Sequence, residues 1–139
     1  MSDSHSCQAL VLTCIDFRFN QQVITELRRR GIEAFDLKCD AGGVKYLIAL
    51  DKPAVRDWIM ENIEIARRLH HVERIVLINH YDCGAYGGNA TWSSDEEQFE
   101  HHAAELTEAK RFLSDKLPGI QTLAFFAEMN QNTVSLREI

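Results

Sequence analysis

The 139-residue chain has no uninterrupted apolar stretch near the roughly 18 residues that a membrane-spanning helix needs, so no membrane partner is expected. Its opening, MSDSHSCQALVLTC, lacks the basic region, apolar core and small-residue cleavage site of an export signal. The expected location is the cytoplasm. Basic residues do not predominate: 15 Lys and Arg against 21 Asp and Glu give a formal net charge of −6. That argues against a nucleic-acid partner, because binding a phosphate backbone needs a basic patch. The one dense basic run, Arg28, Arg29 and Arg30, falls at a helix end, where cations suit the helix dipole and face solvent. No repeat, low-complexity tract or linker divides the chain, so residues 1–139 are expected to form one domain. A domain near this size buries roughly 68% of its unfolded surface and needs no disulfide staples. The four cysteines, Cys7, Cys14, Cys39 and Cys83, are widely and irregularly spaced. Without an export signal, that pattern points to metal binding or catalysis rather than to disulfides.

Residues 8–14, QALVLTC, form a continuous apolar run and read as a buried strand. Asn20 is placed to cap a helix over residues 20–30, with Val23, Ile24 and Leu27 inward and Gly31 as its stop. EAFDLKC (33–39) reads as a second strand leading into the turn DAGG. Pro53 suits the first turn of a helix over residues 53–70. Its inward stripe is expected to be Val55, Trp58, Ile59, Ile63, Ala66 and Leu69, with Met60 and Ile65 off it as a second contact surface. RIVLIN (74–79) is the third strand. Ser94 and Glu97 make a capping box for a helix over 94–116 that Pro118–Gly119 ends. TLAFFAE (122–128), a turn at 130–132 and TVSLRE (133–138) read as a closing hairpin. The fold class is therefore α/β: a doubly wound, mainly parallel sheet of order 2-1-3-4, an antiparallel edge strand, and helices on both faces.

In LTCIDFRF (12–19), Cys14, Asp16 and Arg18 alternate, so an extended chain would put all three on one face and Ile15 and Phe17 on the other. The third strand ends in NHYDCGAYGG, where His80 and Cys83 can converge across a turn. In open α/β sheets, ligands sit beyond the carboxyl ends of the strands where strand order reverses. For this order that point lies between strands one and three, which carry Cys14 and His80/Cys83. Two thiolates and an imidazole suit Zn²⁺ and leave a fourth position open. A thiol hydrolase with Cys83 as nucleophile, His80 as base and Asp16 as orienter is the rival reading. It leaves Cys14 without a role. Cys39, Asp40, Gly42 and Gly43 are expected to pack or to shape a loop beside the site. His101 and His102 read as solvated helical residues, and His70 and His71 as the close of a helix.

Taken together, C-x-D-x-R, the Ala-Gly turn and H-x-x-C-G-A resemble a β-class carbonic anhydrase over residues 9–86. The resemblance implies a zinc held by Cys14, His80 and Cys83, an Asp16–Arg18 dyad beside it, and reversible hydration of CO₂ to bicarbonate (a carbonate dehydratase, a lyase). Zinc lowers the pKa of bound water. Asp16 can then accept that hydroxide's hydrogen bond while Arg18 holds Asp16 through a bidentate pair. When the pair breaks, Asp16 can swing onto the metal as a fourth ligand. The family builds its cleft across a two-fold interface, so a homodimer or higher homo-oligomer is expected.

The chain departs from the family in three ways. Only 13 residues precede Cys14, where members carry a helical arm. Cys39–Asp40 replace Arg-Asn before Ala-Gly. Asn79 and Tyr81 stand where Gly and Ser or Thr are common. Zinc binding is expected to survive these changes. A non-catalytic, regulatory zinc domain and a zinc hydrolase of another small CO₂-like molecule are the alternatives.

Overall fold

The computed structural model describes residues 5–139. Strand β1 (Ala9–Thr13) is buried at every position, and β3 (Arg74–His80) at all but its first. Strands as apolar as these can exist only with a covering layer on each face. The remaining elements are α1 (Asn20–Arg29), β2 (Phe35–Cys39), α2 (Lys45–Ile48), α3 (Pro53–His70), α4 (Asp95–Lys116), β4 (Gln121–Asn130) and β5 (Thr133–Glu138). The sheet order is β2-β1-β3-β4-β5, with β5 antiparallel to β4 and the other pairs parallel. This is the expected topology.

Alternation along the strands sorts the core into two layers. Ala9, Val11, Val76, Ile78, Phe125 and Ala127 pack under α1 through Val23 and Leu27. Leu10, Leu12, Ile75, Leu77, Ala124 and Phe126 pack under α3 and α4 through Ile59, Ile63, Ala66, Leu106, Ala109 and Leu113. After β2 the chain crosses back over β1 to start β3. The loops after β1 and β3 therefore meet at the point where strand order reverses. No helix among the described residues is long and apolar enough to cross a membrane.

Local details depart from expectation. Asn20 does not cap α1; its Nδ2 donates to the Ile15 carbonyl at 3.2 Å, and Phe19 takes the cap position. Arg30 is not simply solvated, since it donates to the Leu136 carbonyl and lies over the Phe125 ring. On α3 the buried stripe is narrower than the sequence suggests. Trp58 and Leu69 are 54% and 53% exposed, whereas Met60, one i,i+3 step from Ile63, packs on the core. Helix α2 was not expected: four residues are too few for a periodic signal, yet Val44 and Leu47 beside and within it are fully buried. The Ser94 cap is as expected, its hydroxyl accepting from the Glu97 N–H at 3.0 Å.

The α3 correction is testable by urea denaturation. Ile63→Ala is expected to cost about 2–5 kcal/mol, as for other buried truncations, and Trp58→Ala less than about 0.5 kcal/mol. Equal costs would restore the wider stripe.

Candidate metal centre

Strand β1 ends at Thr13, and the segment that follows is a turn rather than continued strand. Alternation therefore does not deliver Arg18 to Asp16; a local turn does. The Arg18 N–H donates to Asp16 Oδ1 at 2.9 Å, and the Phe19 N–H donates to the Asp16 carbonyl at 3.2 Å. The guanidinium folds back on the same carboxylate, with Nε 3.0 Å from Oδ1 and a terminal nitrogen 2.6 Å from Oδ2. Ile15 and Phe17 do not reach an apolar interior. They are 58% and 86% exposed and flank the mouth of the site.

The other half comes from β3 and the turn behind it. His80 is 2% exposed. Its Nδ1 lies 2.7 Å from the Tyr81 carbonyl, which can only accept, so Nδ1 carries the proton and Nε2 presents its lone pair. That Nε2 is buried with no hydrogen-bond partner. Asp82 takes the left-handed conformation, φ 58°, which short polar side chains tolerate, and this doubles the chain back so that Cys83 comes beside His80. Cys14 Sγ and Cys83 Sγ are 3.9 Å apart, and with a His80 ring nitrogen they lie within 4.8 Å of one another. The structure thus brings together the three residues that the sequence singled out.

Electrostatics favour the anion at one of the two thiols. The Cys83 thiol, hydrogen-bonded to Cys14, together with His80 and the Gly42 and Asp16 N–H groups, draws Cys14 down to about 4 despite burial. Cys83 is pushed up in turn, first by that shared contact and then by burial. Metal binding displaces protons from thiol ligands. Asp16 is held below the ordinary carboxylate range, chiefly by the hydrogen bonds from Arg18. Two sulfurs and an orphaned imidazole nitrogen fit a tetrahedral zinc with one open position. Asp16 Oδ2, 3.8 Å from His80 Nε2, stands beside that set.

Sequence reasoning missed Asp82. Its Oδ2 accepts from Arg18 at 2.9 Å and its carbonyl from Arg18 at 3.0 Å, so the guanidinium is gripped from two sides. Gln98, buried on α4, accepts from the Asp82 N–H at 2.7 Å. The position of Asp82 between two candidate ligands was the available signal. His102 is not solvated: it is fully buried, stacked on Phe126, and burial lowers its pKa to about 3. Asn79 donates to His102 Nδ1 and to the Tyr86 hydroxyl, which donates to Glu105. Cys39 stays outside the cluster, and burial raises its thiol pKa.

The Ala-Gly turn shapes the site as expected. The Gly42 N–H donates to Cys14 Sγ at 3.4 Å, and the Val44 N–H to Asn79 Oδ1 at 3.0 Å. Cys14, Asp16, Arg18 and Cys83 line an open cleft of about 590 Å³, whose other walls include Ile15, Phe17, Ala41 and Ala85.

A family model described as "Putative carbonic anhydrase" matches residues 4–136. An uncharacterized protein of Rickettsia conorii is 26% identical over 141 residues, covering 97% of this chain and 75% of that protein. Two solved structures share the fold. One is a beta-carbonic anhydrase of Sordaria macrospora, described as tetrameric, with TM-score 0.63 and 13% identity over 96% of this chain and 81% of that one. The other is a carbonic anhydrase of Streptococcus mutans, with TM-score 0.60 and 14% identity over 100% of this chain and 86% of that one.

The turn beside Cys14 has no room for a side chain. A Cβ at Gly43, φ +62°, would lie 2.5 Å from Asn79 Oδ1 and from the Ile78 carbonyl, whereas Gly31, φ +87°, has open space. Gly31→Ala is expected to cost about 1–2 kcal/mol from backbone strain alone. Gly43→Ala should cost clearly more in the same urea titration. Equal costs would mean that the turn is not wedged against β3.

Proposed function

The chain belongs to the carbonic anhydrase family that this model describes, and from that premise we propose that it is a zinc-dependent lyase interconverting CO₂ and bicarbonate. The observation that carries the reading is the meeting of two buried thiols and an unpartnered imidazole Nε2 beside a carboxylate clamped by arginine. Cys14, His80 and Cys83 would hold the metal, which supplies the acidity that turns water into a nucleophile near neutral pH.

The chain's own residues do the rest. Asp16 stays ionised beside Arg18 and so can only accept hydrogen bonds. Arg18 occupies part of its lone-pair capacity, and what remains can take the proton end of the attacking oxygen. That contact turns the oxygen's lone pair toward the cleft. Ile15, Phe17, Ala41 and Ala85 give the cleft an apolar wall suited to a small uncharged molecule such as CO₂. Asp82 fixes the far side of Arg18, so the dyad is a three-residue unit. Arg18 keeps 37% of its side-chain surface exposed, so water competes for the clamp. Release of Arg18 would leave Asp16 Oδ2 close enough to the histidine nitrogen to become a fourth donor.

The reading includes assembly. Phe17 and Ile15 expose apolar surface at the cleft mouth, and Trp58 and Leu69 expose more on α3. A second copy covering one of these faces fits the family expectation of a homodimer or larger. Met60 no longer supports that argument, since it packs inward.

Cys83→Ala is expected to lose the zinc held at Cys14, His80 and Cys83, read by metal analysis as one ion fewer per chain than the parent. Arg18→Ala should keep the zinc while CO₂ hydration in stopped flow falls by about 10–100-fold, as when groups that orient a metal's surroundings are removed. Zinc-replete parent protein without hydration activity would overturn the enzymatic reading. An Arg18→Ala variant as active as the parent would remove the dyad from it. Sedimentation equilibrium at micromolar concentration should show a dimer or larger; a clean monomer would contradict the assembly.

A further inference from the structure

A second group of metal-ligating side chains lies at the opposite, amino-terminal end of the sheet. Cys7 immediately precedes β1, Asp36 is the second residue of β2, and His70 ends α3. The Cys7 N–H donates to the His70 carbonyl at 3.1 Å, which ties the approach to β1 onto the end of the helix. His70 Nδ1 lies 2.9 and 2.7 Å from the two Asp36 oxygens, a hydrogen bond whose proton a bound metal would displace. One thiol sulfur, one imidazole nitrogen and one carboxylate oxygen lie within 4.8 Å of one another. They open on a separate cavity of about 140 Å³ that His5 and Ser6 also line. The His70 and Asp36 side chains are 38% and 30% exposed, so ions in solution can reach them.

We propose that Cys7, Asp36 and His70 form a second zinc site, with water or His5 completing four-coordination. A thiolate and an imidazole exclude the hard cations, which take all-oxygen shells. Sulfur, nitrogen and oxygen donors in a tetrahedral count suit Zn²⁺. Thiolate and carboxylate together cancel the charge of the dication. Half-exposed donors make this site weaker and more readily exchanged than the buried one. Its occupancy joins three segments that come together only in the folded chain: the lead into β1, the edge strand β2 and the end of α3. Bound metal there stabilises the fold by mass action and touches none of the residues assigned to CO₂ chemistry.

The test is equilibrium dialysis of the full chain against zinc, followed by metal analysis. The parent should bind two ions per chain, and Cys7→Ser and Asp36→Asn one each while keeping CO₂ hydration. Cys83→Ala should also keep one, at the second site. Cobalt supplies an independent readout. In Cys14→Ser/Cys83→Ser the only thiols left are Cys7 and Cys39, so thiolate-to-cobalt charge-transfer absorption should persist and should vanish when Cys7→Ser is added. Where the double variant does not fold, the difference spectrum between cobalt-loaded parent and Cys7→Ser carries the same information. A parent that saturates at one zinc would overturn the site. So would a second zinc that survives both Cys7→Ser and Asp36→Asn, because His70–Asp36 would then be an ordinary ion pair beside an uninvolved thiol.

Discussion

Two thiols and an imidazole nitrogen buried within 4.8 Å of one another dominate the chemistry of this chain. Cys14, His80 and Cys83 are 6%, 2% and 3% exposed, and polar groups taken out of water cost free energy unless something satisfies them. The surroundings are arranged around that need. The Tyr81 carbonyl fixes the imidazole tautomer, the Gly42 N–H points at one sulfur, and Asp16 stands beside the open nitrogen. A dication would satisfy all three donors together.

The sheet makes this arrangement possible. Parallel pairing of β1 with β3 runs from Leu10 opposite Ile75 to Leu12 opposite Leu77. Strand β1 then stops while β3 continues to His80, so Cys14 leaves its strand alongside the last turns of its neighbour. The wedge of Gly43 against Asn79 and the hydrogen bond from Val44 lock the loop after β2 onto the same spot. Asn79, Tyr86, His102 and Glu105 then tie β3, the turn after Cys83 and α4 together behind the site. Rigid elements on three sides position a small number of reactive groups, which is what precise positioning requires.

Much of this was legible in the sequence because it depends on order and spacing. Continuous apolar runs identify buried strands, and their alternation with helices identifies the topology. The switch point then brings Cys14 to His80 and Cys83. The Asp16–Arg18 pair was also legible, but for a different reason than alternation: the strand ends early and an Asx-type turn closes the pair. Asp82 was hidden because its role needs a left-handed residue and a partner 64 positions away. His102 was misread because the burial of a helical histidine depends on which face meets Phe126, and that is set by packing. Trp58 and Leu69 were misread because a helix stripe drawn from hydrophobicity alone is wider than the strip of sheet it covers.

The proposed zinc chemistry rests on Cys14, His80 and Cys83 as the donors. Zinc-edge X-ray absorption on chain carrying a single zinc tests it without reference to activity. Those ligands give two sulfurs at about 2.3 Å, one imidazole nitrogen at about 2.0–2.1 Å, and one further light donor. A shell with any other number of sulfurs would contradict it.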